Sequence, residues 1–487
     1  MKTEPAMPQV QLTISSRDSE KFALLSGDFN PLHLDPEKAR RFPFGSTVVH
    51  GVHSCLLMLD AYLAHHHPAE KIRVEELKVS FNNPLSTGQP LTLCIPSFSY
   101  DKAIKLVGNS DGKKILSIKL KLSKDTKNND ISILDETAEG IELVEQEPPK
   151  DLEHQGSVQL KLHKTSYAAL FPNLAEKIDH LWASQALAST AIVGMQCPGL
   201  HSIFSNLHLK YAENHEGTET ISYNTSHYDE RFRMINLSLS SHNLSGQITG
   251  FYRSQPAPQA SIKELADWVP TDIYANQQAL VVGGTRGIGE TTSKILAAGG
   301  ADVIITYATG KHDAERVMQE INAFGGKCQK LQLNVSNLND LDSDTSKILS
   351  RTSHVYYFAS PRIPTNKTGI WDSKAHSTLN DIYVTALNNL VKVIQNKQSK
   401  TQRLSLYYPS SVFITDNEKG FAEYIAAKAA GEALCNYLGA HEGITTFSPR
   451  LPRMYTDQTS ELGKEASAST EEVMLNSLRN FAAMHTD

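Results

Sequence analysis

The chain has no apolar run of 18 or more residues, so no stretch of it reads as a membrane-spanning helix and no membrane partner is expected. It has no basic excess either. Its 47 Lys+Arg stand against 53 Asp+Glu, a formal net charge of −6, which argues against nucleic acid as a partner. Cysteine is scarce: Cys55, Cys94, Cys197, Cys328 and Cys435 are odd in number, widely spaced and contain no CxxC. That excludes a disulfide framework and a cysteine zinc site, and predicts a reducing, cytoplasmic setting. The first residues, MKTEPAMPQVQLT, carry no charged-then-apolar leader, and the last, AAMHTD, form no peroxisomal address. No metal site is expected. His65, His66 and His67 are consecutive, so their side chains diverge on a helix, and Pro68 marks them as a polar helix end.

What is present is the composition of a globular protein, 40% hydrophobic and 21% charged, in 487 residues. That length exceeds one hydrophobic core and predicts several domains. Residues 1–124 read as one domain, with a long helix from about His50 to Ala64 and then alternating strands Val74–Phe81, Pro90–Ser97, Lys105–Gly108 and Ile115–Leu122. In 125–155 ten acidic residues face only Lys127 and Lys150, around Pro148-Pro149. This is a solvated linker, with an acidic docking surface as the alternative. Residues 156–253 repeat the first pattern: an apolar helix Leu174–Val193, a Pro198-Gly199 turn, and strands Ile203–Tyr211, Glu219–Thr225, Ile235–Ser240 and Gly246–Arg253. A second linker, 254–275, precedes 276–487, where strands and helices alternate as in a parallel sheet covered on both faces.

In that last part, VVGGTRGIGETTSKIL places Gly283, Gly287 and Gly289 between an apolar strand and a helix, where backbone N–H groups can approach a pyrophosphate. Tyr424 and Lys428, in EYIAAKAAGEAL, are four residues apart and share a helical face. An ammonium one turn away is expected to lower the phenol's pKa toward neutrality. Ser411 ends an apolar strand thirteen residues earlier, where its hydroxyl can bind the same substrate oxygen. These three signals, in this order, resemble the short-chain dehydrogenase/reductase family over roughly Gln277–Asp487; the alternative is a noncatalytic domain of the same fold. The resemblance implies a Rossmann-type doubly wound sheet, Tyr424 as general acid/base, Lys428 as its partner and ribose anchor, and Ser411 as carbonyl orienter. It also implies a nucleotide held by Gly283, Thr285, Arg286, Gly287, Ile288, Gly289, Asn334 and Ala359, together with Tyr424 and Lys428. The sequence departs from the family pattern at Val282, Tyr357-Phe358-Ala359-Ser360, Asn334, Pro449-Arg450 and Tyr383; the last stands where the family has the asparagine of its proton relay. The second strand ends Thr306-Tyr307-Ala308-Thr309 with no acid for a ribose diol, while Arg286 and Lys311 supply positive charge. NADPH rather than NADH is the expected cofactor, unless Arg286 is a plain surface residue.

Near the start, FALLSGDFNPLHLDPEKA packs Asp28, Asn30 and His33 within six residues around Pro31. A turn there can bring the carboxyl and the imidazole to one water, with the Asn30 amide orienting them. The alternative is a helix-capping Asp28 beside a structural His33. Gly51, after Val49-His50, offers an N–H at a helix start as an oxyanion donor. This string, with SFNNPLSTG at 80–88, resembles the MaoC-like, (R)-specific enoyl-CoA hydratases over about residues 10–123. The resemblance implies a hotdog fold, Asp28, Asn30 and His33 as the hydratase set, and Gly51 as the donor that polarises the thioester carbonyl. Residues 156–253 look like a second hotdog without that string, expected to shape the acyl tunnel or to support the first by packing. The fold class expected is thus an α+β double hotdog followed by an α/β Rossmann-type doubly wound sheet.

Together the resemblances imply a bifunctional enzyme: NADPH-dependent reduction of a 3-oxoacyl thioester to the (R)-3-hydroxyacyl form, then dehydration to the trans-2-enoyl thioester. Acyl-CoA or acyl carrier protein would be the partner, and a homo-oligomer, dimer or tetramer, the assembly. The alternatives are a single hydratase or ketoreductase whose other domain binds the acyl carrier, and a nonenzymatic acyl-binding scaffold.

Overall fold

The computed structural model describes residues 7–125, 134–136, 154–213, 219–253 and 258–484, apart from 43, 340, 366–368, 400 and 457–467. Most of the acidic stretch and the start of the second linker lie outside these residues. Two compact units result, Met1–Gln255 and Pro256–Asp487. Among the described residues no helix is long and apolar enough to cross a membrane.

The first unit begins with β1 (Gln9–Thr13), α1 (Ser16–Ser26), the single-turn helices α2 (Pro31–Leu34) and α3 (Pro36–Ala39), and α4 (Gly51–His66). Strands β2 (Ile72–Phe81), β3 (Pro90–Cys94), β4 (Ile104–Ser110) and β5 (Lys113–Lys124) follow. The pattern then recurs as β6 (Gln155–Gln159), α5 (Lys164–Leu170), α6 (Pro172–Lys177), α7 (His180–Ala191) and strands β7 (Ser202–Tyr211), β8 (Thr220–Asp229), β9 (Met234–Ser241) and β10 (Leu244–Tyr252). All ten strands form one antiparallel sheet in the order β1-β3-β4-β5-β2-β7-β10-β9-β8-β6. Outward from the central β2–β7 pair, each half runs through its first, fourth, third and second post-helix strands and ends on the strand before its helices. At the seam Leu77 faces Leu209 and Val79 faces Leu207. Both long helices are apolar on nearly every side, as helices enclosed by a core must be. In α7 every residue from Leu181 to Ala191 is buried, and α4 buries Val52 through Leu56, Met58, Leu59, Tyr62 and Leu63.

The apolar helix expected at Leu174–Val193 is not continuous. Ile178 is extended, and Asp179 starts a new helix by accepting the Leu181 N–H at 3.1 Å. An acid at the cap position competes successfully with helix continuation. After Ala191 the helix widens into a π-turn, Ile192–Gln196. The two halves are locked by a buried carboxylate. Asp60, in the middle of α4, accepts N–H groups of Asn173 (2.8 Å) and Leu174 (2.9 Å) at the start of α6, and the Asn173 amide at 3.0 Å. Asp60→Ala leaves those donors buried and unpaired, and is expected to destabilise the unit by about 2–3 kcal/mol. Faster hydrogen exchange in α4 and α6 is the check; unchanged protection would contradict it.

The second unit runs α8 (Ile262–Ala266), β11 (Gln278–Val282), α9 (Gly287–Ala298), β12 (Asp302–Tyr307), α10 (Lys311–Ala323), β13 (Lys327–Gln332), α11 (Ser343–Arg351) and β14 (His354–Tyr357). It continues with α12 (Ser373–Asn380), a π-turn at Asp381–Ala386, α13 (Leu387–Lys397), β15 (Ser405–Tyr407), β16 (Ser410–Ser411) and α14 (Phe413–Asp416). The remaining elements are α15 (Ala422–His441), β17 (Thr445–Phe447), β18 (Arg450–Leu451) and α16 (Thr470–Ala483). Six parallel strands order as β13-β12-β11-β14-β15-β17. Successive residues of a central strand feed opposite faces. Val281 joins Ile295, Val317 and Phe481 from α9, α10 and α16, while Leu280 and Val282 join Leu349, Leu390 and Leu438 from α11, α13 and α15. An ion network fixes α9: Arg316 grips the buried Glu290 through two bonds (2.8 and 2.7 Å), and buried Lys294 reaches Glu290 (2.8 Å), Glu320 (3.0 Å) and the Ala260 carbonyl (2.9 Å).

Candidate active sites in the two units

In the first unit the Asp28 loop is shaped by its neighbours in sequence. Gly27 closes α1 in the left-handed conformation (φ 78°), so the chain turns sharply before Asp28. Asn30 caps α2: its side-chain oxygen accepts the Leu32 N–H at 3.1 Å, and Pro31 fills the first helical position. The cap is therefore Asn30, which frees Asp28. The buried Asp28 carboxylate accepts the Thr190 hydroxyl at 2.7 Å and the Asn30 N–H at 3.2 Å. His33 stands on α2 with Nδ1 at 2.8 Å from the Val48 carbonyl. A carbonyl only accepts, so Nδ1 carries the proton and Nε2 keeps its lone pair. By the same reasoning His50 donates from Nε2 to the Asp28 carbonyl at 3.0 Å, while its ring stacks on His33 with centroids 3.8 Å apart. One ligand atom from each of Asp28, His33 and His50 lies within 4.8 Å of the others.

Burial sets the charges here. It raises the Asp28 carboxyl above the usual range, against the pull of His33 and the Thr190 hydroxyl. It lowers His33, opposed by Asp28, and the positive Arg253 nearby lowers His33 further. His50 is pushed well below its ordinary value, also chiefly by burial. The result is a protonatable acid beside a neutral imidazole. Gly51 begins α4, whose N-terminus, next to His50, has no side-chain cap.

The second half contributes directly. Thr190 comes from α7, and the Asn30 amide donates to the Gly194 carbonyl at 2.9 Å in the following π-turn. Gly194 leaves room for the acid: a Cβ there would stand 2.2 Å from Asp28 Oδ1. His50, Thr190 and Gly194 were not among the residues expected from the sequence. His50 had a visible signal in the Val49-His50-Gly51 string, whereas Thr190 and Gly194 lie some 160 residues from Asp28 and had none.

In the second unit Ser411 sits on β16, aligned by pairing with Leu451, and its Oγ accepts the Phe413 N–H at 3.2 Å. Tyr424, in the first turn of α15, is close enough to the Ser411 hydroxyl for it to draw the phenol's pKa down. Lys428 is buried one turn further on, donates to the Pro409 carbonyl at 2.7 Å, and lies 6.0 Å from the Tyr424 ring centroid. All three expected side chains are thus brought together. The expected lowering of the phenol is not found. Burial pushes Tyr424 up to about 12, opposed only by the Ser411 hydroxyl, and burial takes the Lys428 amine down to about 7. Desolvation outweighs the neighbour because the ammonium is itself desolvated and bonded elsewhere.

Of the expected nucleotide-binding residues, Gly283 to Gly289 follow β11, Asn334 follows β13 and Ala359 follows β14, at the carboxyl ends where parallel sheets bind nucleotides, while Tyr424 and Lys428 are on α15. Gly283 turns at φ 78° against the Phe358–Ala359 peptide, and a Cβ on Gly289 would meet the Gly283 carbonyl at 2.2 Å. This close-packed backbone, with the uncapped N-terminus of α9 at Gly287 and Ile288, suits a pyrophosphate. Thr285 is buried, Arg286 and Ala359 are half-buried, and exposed Asn334 follows β13 with its side chain accepting the Ser336 N–H at 3.1 Å. Thr306 Oγ accepts the Gly283 N–H at 3.3 Å, and Lys311 is exposed beyond it.

Comparison with known proteins agrees with this division. Residues 2–106 match the family described as MaoC like domain, and 277–446 match short chain dehydrogenase. A 3-oxoacyl-[acyl-carrier-protein] reductase of Synechocystis sp. is 28% identical over 194 residues, 39% of this chain and 78% of that one. The peroxisomal hydratase-dehydrogenase-epimerase of Saccharomyces cerevisiae is 36% identical over 86 residues, 18% of this chain and 9% of that one. A solved 3-oxoacyl (acyl-carrier-protein) reductase of Agrobacterium tumefaciens with NADP bound has 18% identity and a TM-score of 0.37, covering 42% of this chain and 88% of its own. The chain joins a MaoC-like domain to a short-chain dehydrogenase domain.

Proposed function

We propose that this chain reduces 3-oxoacyl thioesters with NADPH and dehydrates the (R)-3-hydroxyacyl product to the trans-2-enoyl thioester. The observation that carries the reading is the presence of two complete proton-handling sets, Asp28 with His33 in one unit and Tyr424 with Ser411 and Lys428 in the other. The relatives named above, a 3-oxoacyl reductase and a hydratase-dehydrogenase, support the same pairing. The repeated helix-and-strand pattern of the first unit supports a double hotdog in which only the first half carries the acid and base. The domain boundaries put forward are 1–124, 156–253 and 276–487, joined by the two linkers.

In the reductase, Gly283, Thr285, Arg286, Gly287, Ile288, Gly289, Asn334 and Ala359, together with Lys428 and Tyr424, would hold NADP(H). When bound, the cofactor supplies hydride to the carbonyl carbon. Tyr424, kept protonated by burial, gives its proton to the carbonyl oxygen while the Ser411 hydroxyl holds that oxygen in place. Preference for the 2′-phosphate rests on Arg286 and Lys311 and on the lack of an acid from Thr306 to Thr309.

In the hydratase, the lone pair of His33 Nε2 takes the proton from C2, and the protonated Asp28 gives its own to the departing hydroxyl, which leaves as water. Proton transfer from His33 back to Asp28 resets the pair. Gly51 N–H takes the charge that builds on the thioester oxygen. Tethering both sites on one chain raises the effective concentration of the shared hydroxyacyl intermediate. The thioester carrier is coenzyme A or an acyl carrier protein.

The test is to incubate the full chain with 3-oxoacyl thioesters of several lengths, on coenzyme A and on carrier protein, with NADPH. Loss of nicotinamide absorbance together with an enoyl product by mass spectrometry is the expected result. Absence of both across all substrates overturns the proposal, and reduction without enoyl product reduces it to a ketoreductase.

A further inference from the structure

Lys428 has an unusual seat. Its Nζ lies 4.1 Å from the ring centroid of Tyr383 and 4.7 Å from that of Tyr408, and its oxygen contact is the Pro409 carbonyl. One carbonyl satisfies one of three ammonium protons, and two aromatic faces stand where further oxygens would otherwise be needed. Tyr383 is rigidly held for this. It is buried in the Asp381–Ala386 π-turn, its hydroxyl is 2.6 Å from that of Ser360, and its ring meets Tyr424 edge-on at 5.9 Å. π-turns recur at functional positions, and this one sets the ring face against the lysine.

We infer that Tyr383 is a positioning residue for Lys428, its ring face holding the ammonium beside Tyr424 while its hydroxyl only anchors the ring through Ser360. The consequence for turnover rests on the reductase reading above; the seat of the ammonium does not. The groups facing Lys428 are Tyr424, Glu432 and Cys435 on its own helix, Tyr383 from the π-turn and Tyr408 after β15. Burial brings the amine down to about 7, with Cys435 and Glu432 opposing. An ammonium stabilised by ring faces persists below that value and is lost as pH rises through it. Removing a face moves the loss to lower pH.

The experiment uses the full chain with 13Cε-labelled lysine, the Lys428 signal being identified by its disappearance in Lys428→Met. Lys428 is titrated by NMR in the wild type, Tyr383→Leu and Tyr383→Phe, and kcat and KM are measured across pH with acetoacetyl-CoA and NADPH. Tyr383→Leu is expected to move the midpoint down by about one pH unit and to lower kcat about tenfold, with KM changed less than about twofold. Tyr383→Phe restores the midpoint and most of the lost kcat. Should Tyr383→Leu not fold, phenylalanines of increasing fluorination at position 383 weaken the ring face at nearly constant shape, and the midpoint falls stepwise. A midpoint indifferent to Leu or to fluorination, or displaced as far by Phe as by Leu, overturns the inference. A wild type that titrates as expected but turns over no 3-oxoacyl thioester counts against the reductase reading alone.

Discussion

Asp28→Asn is expected to lower dehydration by about a hundredfold to ten-thousandfold while reduction by the same chain continues at its former rate. The carboxamide keeps the shape of the side chain: its oxygen takes the Asn30 N–H at 3.2 Å and its NH2 donates to the Thr190 hydroxyl oxygen at 2.7 Å, so the loop holds. It has no proton to give to a leaving hydroxyl, and removing a positioned general acid costs about two to four orders of magnitude. Tyr424→Phe is the mirror image, stopping reduction by a similar factor and sparing dehydration of an added (R)-3-hydroxyacyl thioester. The Ser411 hydroxyl and the Lys428 seat on Pro409 survive that change, so any loss belongs to the missing phenol. Each variant is assayed for both half-reactions separately. If either substitution silences both activities in a folded protein, two independent sites cannot be the explanation.

The second large effect comes from a residue with no chemistry of its own. Gly194→Ala places a methyl 2.2 Å from Asp28 Oδ1 and 2.6 Å from its Cγ, a distance no real side chain sustains. Either the carboxylate swings away from Thr190, or the π-turn shifts and releases the Asn30 amide from the Gly194 carbonyl. Displacing a reacting group by about an ångström costs on the order of a hundredfold in rate. Dehydration should therefore fall by at least that factor in Gly194→Ala, with reduction intact and circular dichroism unaltered. Full hydratase activity in this variant would show that Asp28 does not work from the position described.

The alternation of strands and helices after Gln277, and the helix expected from His50 to Ala64 and found at Gly51–His66, were readable because burial pattern and chain period coincide there. So was the grouping of Asp28 with His33, since Gly27, Asn30 and Pro31 are local turn chemistry. Three things were not readable. The break at Ile178 depended on Asp179 acting as a cap inside an apolar run, where hydrophobicity alone predicts continuation. The contributions of Thr190 and Gly194 depend on the two halves sharing one sheet, a long-range fact without a local signature. The proton affinities of Tyr424 and Lys428 depend on how deeply both are buried, and spacing on a helix carries no information about that.

The β2–β7 seam has a consequence for handling the protein. Strands that, in two separate polypeptides, would have to find each other by diffusion are here on one backbone, so their pairing is a unimolecular event. Lowering the protein concentration cannot pull Thr190 and Gly194 away from Asp28, and the hydratase centre should keep its specific activity even in very dilute assays, whatever larger assembly falls apart around it.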